Sequence, residues 1–277
     1  MAVDSYALTF WGVRGSTPAP DPRMLRYGGN TTCVEIQVSP DHRILLDCGT
    51  GIRWLGHELA TRPPRQRLNL DILLTHYHRD HLDGLPFFEP LHDPACAIAF
   101  HGYPWEGLSV ERILEGAWTP PWFPFSLRDT EAERRFVDLD GRPFALGPFE
   151  VTTARLLHPL GVTAYRLTHA SGSLVFATDL ESGAPETNQP LLELARNAGT
   201  LIHDAQLTPE ELGTGTGYGH SSWRQAAETA RQAGVQRLIL FHHGPRRTDE
   251  EIDRIVAATR EIFPNTEAAR EGRSITF

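Results

Sequence analysis

Short apolar and β-branched runs recur through the first half of the chain. Tyr6–Val13, Thr32–Val38, Arg43–Asp47, Asp71–Thr75 and Ala95–His101 read as strands. Phe136–Leu139, Phe149–Leu157, Thr163–Thr168 and Leu174–Thr178 continue the pattern, and Thr200–His203 and Arg237–Phe241 are shorter apolar strands. Helical spacing appears at Ile52–Thr61, with Trp54, Leu55 and Leu59 on one face and His57 on the exposed side. Further helices are predicted at Pro190–Ala198, Ser222–Ala233 and Asp249–Ile262. Thr248 before Asp249-Glu250-Glu251 is a good N-cap followed by acidic residues in the first turn. Strands dominate early and helices separate the later ones, which fits an α/β protein of two packed sheets with helices outside.

One stretch departs from this pattern. Within residues 102–135, Trp105, Trp118, Pro120, Pro121, Trp122, Phe123, Pro124 and Phe125 crowd together without clear periodicity. Two expectations stand for it: a loop packed on the core by its rings, or a lid over a substrate entrance. There is no linker, low-complexity tract or repeat, so residues 1–277 are read as one domain.

Composition narrows the classes. The formal net charge is −9 and the pI about 5.8, with no basic run, which argues against a long nucleic acid partner. Cys33, Cys48 and Cys96 are far apart and include no CxxC pair, as suits a reducing compartment. The first residues lack a signal-peptide pattern and no apolar run is long enough for a bilayer. The expectation is a cytoplasmic protein without membrane association.

The chemistry concentrates in Thr75-His76-Tyr77-His78-Arg79-Asp80-His81-Leu82-Asp83-Gly84, directly after the apolar run Leu70–Leu74. Imidazole and carboxylate suit zinc at neutral pH. Residues two apart on extended chain share a side, so His76 and His78 can grip one ion. Asp80 and His81 follow a turn and can reach a second.

This segment resembles the HxHxDH signature of the metallo-β-lactamase superfamily. Gly12-Val13-Arg14-Gly15-Ser16-Thr17-Pro18, Arg26–Thr32 and Leu45-Leu46-Asp47-Cys48-Gly49-Thr50-Gly51 are similar to its phosphodiesterase branch, which includes RNase Z, the phosphoribosyl cyclic phosphodiesterase and bacterial cyclic-nucleotide phosphodiesterase-like proteins. The resemblance implies an αββα sandwich with metals at one end. It implies two Zn²⁺, with Mn²⁺ or Fe²⁺ as substitutes. His76, His78 and His158 would hold one ion, Asp80, His81 and His242 the other, with Asp179 shared. His242 and His243 remain alternatives as residues; neighbours on extended chain point to opposite sides, so one of them ligates, and the family alignment favours His242. His78, where the di-iron oxygen-reducing branch uses Glu, and Asp179, where zinc β-lactamases use Cys, favour hydrolysis over redox chemistry or penicillin cleavage.

In that branch an acidic residue orients a His that protonates the leaving oxygen; Asp204 and His220 occupy those positions. By the same resemblance Asp80 would ligate and could orient the attacking water or take its proton. The expected function is therefore dinuclear zinc hydrolysis of a small phosphodiester, such as a cyclic nucleotide or cyclic phosphate. The alternatives are a zinc hydrolase of a lactone, ester or thioester, a non-catalytic nucleotide sensor, and a tRNA-processing nuclease. The last is disfavoured because His158 and Asp179 are separated by one short hairpin, with no room for the tRNA-gripping arm. Relatives in this branch are often homodimers. His42 is expected in a solvated turn, His92, His101 and His169 away from the site, and His203 as a structural hydrogen bonder.

Overall fold

A computed structural model describes residues 5–63, 66–183, 185–212 and 218–277. Two seven-stranded sheets face each other. The first contains β1 (Ala7–Gly12), β2 (Cys33–Ser39), β3 (His42–Leu46), β4 (Leu68–Leu73), β5 (Cys96–Gly102) and β6 (Glu133–Asp138), with the final strand β14 (Ser274–Thr276) on the edge beside β1. The second contains β7 (Phe144–Leu146), β8 (Phe149–Leu156), β9 (Val162–His169), β10 (Gly172–Ala177), β11 (Thr200–Asp204), β12 (Arg237–Phe241) and β13 (Thr266–Ala268). Each sheet is antiparallel in one part and parallel in the other: β3–β6 and β10–β13 run parallel.

The helices are α1 (Ile52–Ala60), α2 (Val110–Ala117), α3 (Pro185–Ala195), α4 (Pro209–Leu212), α5 (Trp223–Ala233) and α6 (Asp249–Arg260). Phe10, Ile36, Leu73, Tyr165, Phe176 and Phe241 belong to the core between the sheets. A second core joins the first sheet to α1 and α2 through Leu55, Ile72, Phe100 and Leu114, and a third joins the other sheet to α5 and α6 through Leu201, Ala227, Leu240 and Ile252. This is the αββα layering implied by the motifs. Parallel strands covered on both faces explain why β11 and β12 read as unbroken apolar runs.

Several expectations need correction. Trp54 is half exposed, under the Arg53 guanidinium at 5.0 Å; Ile52, Leu55, Gly56 and Leu59 make the buried face of α1. α3 starts before Pro190, which lies inside it; proline's preference for a first helical turn had suggested a start there. β4 begins at Leu68 because its ladder with β5 starts there, whereas Thr75 has left the ladder and its N–H donates to the Asp47 carboxylate at 2.8 Å. The stretch 102–135 holds a helix, α2, capped by Ser109. Short β7, β13, β14 and α4 gave no readable periodicity.

His42 is not in a solvated turn. It opens β3, and its Nε2 and the Nε2 of His101 each lie 2.8 Å from an oxygen of Asp71. Burial alone would raise the Asp71 pKa, but the bonds from His101 and His42 prevail and bring it down to about 2. Phe144 stacks on His101 with centroids 5.7 Å apart.

Candidate metal centre

The site forms where strands end. β4 leads into the loop carrying His76 and His78, and the chain then turns through Arg79–His81. β3 ends just before Asp47, β10 leads to Asp179 and β12 to His242. These last three all have positive φ, at 61°, 55° and 58°. Non-glycine residues rarely adopt that conformation, and it collects at functional sites. Here it bends the chain sharply just as each strand stops.

Two groups of side chains result. His76, His78 and His158 offer ligand atoms to one point; Asp80, His81, Asp179 and His242 offer them to another. His78 Nδ1 lies 3.1 Å from His158 Nε2. Asp179 Oδ2 lies 3.2 Å from both His81 Nε2 and His242 Nε2, and Asp80 Oδ2 lies 3.3 Å from His242 Nε2. The imidazoles of His76 and His81, one from each group, have centroids 4.3 Å apart.

The hydrogen bonds behind these rings test whether a cation fits. His158 Nδ1 donates to the carbonyl of Gly219 at 2.8 Å, so its neutral ring has a bare lone pair at Nε2. Thr75 Oγ1 donates to Asp47 Oδ2 at 2.8 Å and accepts from His76 Nδ1 at 3.0 Å. His76 Nε2 is thereby an acceptor, and it is buried without a hydrogen-bond partner among the described residues. His81 Nδ1 also faces Asp47 Oδ2, at 2.8 Å, which turns its Nε2 toward Asp80 and Asp179. Inward-facing lone pairs without donors are what a divalent cation would satisfy. Burial and then neighbouring His81 push His76 well below its usual pKa, which keeps it a neutral donor.

Asp47 was quoted within a motif but not assigned a role; it ties His81 directly and His76 through Thr75. Its carboxylate is fully buried. Ser16 was missed too: its backbone N–H donates to Asp80 Oδ2 at 2.8 Å, from a residue at φ 63°. No local spacing announces either contact, because both partners are distant in sequence.

His220 and Asp204 meet beside the second group. His220 Nδ1 is 2.8 Å from Asp204 Oδ2. The His220 ring is 5.4 Å from that of His158 and 5.1 Å from that of His242. Burial would depress the His220 pKa, but Asp204, with smaller help from Asp179 and Asp80, raises it to about 9. Asp179, Asp204, His220 and His242 also lie close enough together to form a metal-holding group of their own.

His243 points elsewhere. Its Nε2 bonds the Ala269 carbonyl at 2.9 Å and its ring meets Tyr27, while burial takes its pKa down to about 3. His203 is buried, with Nδ1 on the carbonyl of Asp204. His57, His92 and His169 are not part of either group.

A groove of about 400 Å³ opens from His76 and His78. Trp105, Leu108 and α2 line it, while Trp118 is buried in the core and Trp122 is 83% exposed outside it.

Comparison with known proteins identifies the family. Residues 42–243 match the family model described as Beta-lactamase superfamily domain. Ribonuclease Z of Bradyrhizobium sp. (strain ORS 278) is 29% identical, covering 98% of this chain and 99% of that protein. Ribonuclease BN of Cronobacter sakazakii is 26% identical over 84% of this chain and 88% of its own length. The metallo-beta-lactamase fold protein YhfI from Bacillus subtilis superposes with a TM-score of 0.75 at 21% identity, covering 99% of this chain and all of that one. From its sequence match and its paired sheets, this chain belongs to the beta-lactamase superfamily, with its relatives in the phosphodiesterase and RNase Z branch.

Proposed function

We propose that the protein is a metal-dependent phosphodiesterase using two zinc ions and acting on a small phosphodiester such as a cyclic nucleotide or cyclic phosphate. The carrying observation is the buried His220–Asp204 pair beside the two ligand groups. Thioester hydrolysis releases a thiolate that needs less protonation than an alkoxide, so such a pair has less to do there. His76, His78 and His158 would hold one ion, and Asp80, His81 and His242 the other, with Asp179 between. Bound there, the metals supply Lewis acidity toward phosphate and lower the pKa of water.

The chain's own groups divide the proton work. Asp80 Oδ2 is engaged by the Ser16 N–H, which leaves Oδ1 to orient the attacking water or accept its proton. As the new P–O bond forms and the old one breaks, His220 Nε2 gives its proton to the departing oxygen. Asp204 accepts from His220 Nδ1 and stabilises the imidazolium, which leaves Nε2 as the nitrogen that carries the transferable proton.

A small substrate is favoured by the short connection from His158 to Asp179, the β9–β10 hairpin, and by the net charge of −9. Cleavage of RNA is the second reading, favoured by the near full-length match to ribonucleases. No helix among the described residues is long and apolar enough to cross a membrane. Protein loaded with zinc, manganese or iron(II) should be assayed on cyclic nucleotides, bis-p-nitrophenyl phosphate, a precursor tRNA, lactones and thioesters. Turnover of cyclic phosphates above the others supports the proposal. Preferential cleavage of the tRNA establishes the second reading, and lactone or thioester turnover alone rejects both.

A further inference from the structure

The groove beside His76 and His78 is walled largely by apolar side chains, and α2 shows why. Val110 and Leu114 pack inward, which turns Arg112, Ile113, Gly116 and Ala117 toward the groove as one helical face. Opposite is the tight turn Trp105–Leu108. Two backbone hydrogen bonds, 3.0 Å and 2.8 Å, close it, and Glu106 and Gly107 both have positive φ. That turn holds Trp105 and Leu108 in place. Leu108 and Leu160 are 45% and 64% exposed, so apolar surface at this site is left in contact with water.

Polar groups in the groove are few and mostly occupied. Tyr77 Oη donates to the Tyr103 carbonyl at 2.7 Å. Arg79 is held by Asp83 at 2.8 Å and by the Ala117 carbonyl. Among the described residues, the Arg112 guanidinium makes no hydrogen bond or ion pair. A volume of about 400 Å³ is within the usual range of ligand clefts, roughly 300–1,000 Å³. Because His76 and His78 form one end, an occupant would be joined to whatever sits at the ligand groups.

We propose that this groove is a specificity subsite for a flat aromatic group, a nucleobase in the first instance, carried by the phosphodiester. It rests on the phosphodiesterase reading above. The base packs against Trp105, Leu108, Ile113 and Leu160, and Arg112 covers it or meets a further anionic group. Recognition is by shape and stacking, so purines and pyrimidines are tolerated within about tenfold of one another, since stacking is indifferent to base edges. The substrate class narrows to nucleoside phosphodiesters, with base-free sugar or glycerol cyclic phosphates processed poorly.

Gly116 gives a direct test. A Cβ added there meets no atom within 4 Å, and Gly116 lines the groove, so Gly116→Leu places its added bulk on the groove side of α2. Metal-loaded protein would be compared on adenosine 2′,3′-cyclic phosphate and on methyl riboside 2′,3′-cyclic phosphate, which share the reacting phosphate. The wild type should favour the nucleoside by roughly 5- to 150-fold in kcat/KM, the range of one stacked base. Gly116→Leu should lower turnover of the nucleoside substrate far more than that of the base-free one, erasing the preference, with metal content retained. Trp105→Ala, on a surface turn, should reduce it, and carries the test if Gly116→Leu does not fold. No preference in the wild type, or equal losses on both substrates, overturns the subsite. If neither phosphodiester is turned over, calorimetry with adenosine 5′-monophosphate and ribose 5-phosphate separates the two claims. Base-dependent binding lost in Gly116→Leu keeps the subsite and rejects the phosphodiesterase reading. Equal binding of the two ligands rejects the subsite itself.

Discussion

His220 Nδ1 stands 2.8 Å from Asp204 Oδ2, and the same carboxylate accepts three backbone N–H groups, from Asp179, Gln206 and Ser221, each at 3.1 Å. The carboxylate is thus fixed in orientation before any substrate arrives, and it fixes the imidazole in turn. Its bond from the Asp179 N–H also ties the pair to the end of β10.

This relationship predicts a substrate-dependent defect. General acid catalysis typically contributes about 10² to 10⁴-fold. His220→Ala should cut turnover of a nucleoside or alkyl diester by roughly that factor, and turnover of a p-nitrophenyl diester far less, because that leaving group departs without a proton. Asp204→Ala should resemble it, and the double variant should be little worse than either. Equal losses on both substrates would remove the acid role. Loss of bound metal would instead make His220 a ligand, in the group it forms with Asp179, Asp204 and His242.

Metal stoichiometry is a separate matter. Elemental analysis of purified protein should approach two ions per chain. His76→Ala removes one of three imidazoles from the first group and should lose metal and activity together. His243→Ala should keep its metal, since that ring is turned to the Ala269 carbonyl. Full turnover by His76→Ala would show that the ligand set is wrong.

Asp47 links the two groups without belonging to either. Partners that orient metal-binding imidazoles typically contribute about 10- to 100-fold in metal affinity. Asp47→Asn should weaken both ions by about that factor, because His81 loses its carboxylate partner and Thr75, which orients His76, loses its own. Competition with a chromogenic chelator measures both steps. Weakening of one ion alone would mean that the Thr75 relay does not carry.

Much of the site could be read because its chemistry is local in sequence. His76 to His81 lie within one turn of chain, and His158, Asp179 and His242 each follow a strand whose apolar run is visible. Asp47 and Ser16 could not be assigned roles the same way, since their work depends on partners 34 and 64 positions away. The lid or loop expected within 102–135 divides into parts that aromatic crowding alone did not separate. The aromatic residues crowd at Trp118–Phe125, where Trp118 is core, while the groove is lined by Trp105, Leu108 and α2, a short helix of two turns. His42 was misplaced for a related reason. Pro40 and Asp41 suggested a solvated turn, while the carboxylate that holds its imidazole comes from β4.

The His42–Asp71–His101 cluster is removed from the metal groups and predicts a stability effect of its own. Hydrogen bonds to a charged group contribute about 1.5–3 kcal/mol each, and Asp71→Ala breaks two of them. A loss of about 3 kcal/mol near neutral pH is expected. The folded Asp71 has its pKa lowered to about 2, below the ordinary carboxylate value of about 4. A depressed pKa stabilises the fold at pH values above the unfolded value, and that contribution fades as pH falls through the folded value. Urea unfolding of metal-free wild type and Asp71→Ala at pH 7, 4 and 2.5 should therefore show a gap that holds at the first two and narrows at the third. Using metal-free protein makes protonation of the ligand groups common to both. A gap that is the same at all three values would mean that packing around His101 and Phe144, not the Asp71 charge, carries the stability.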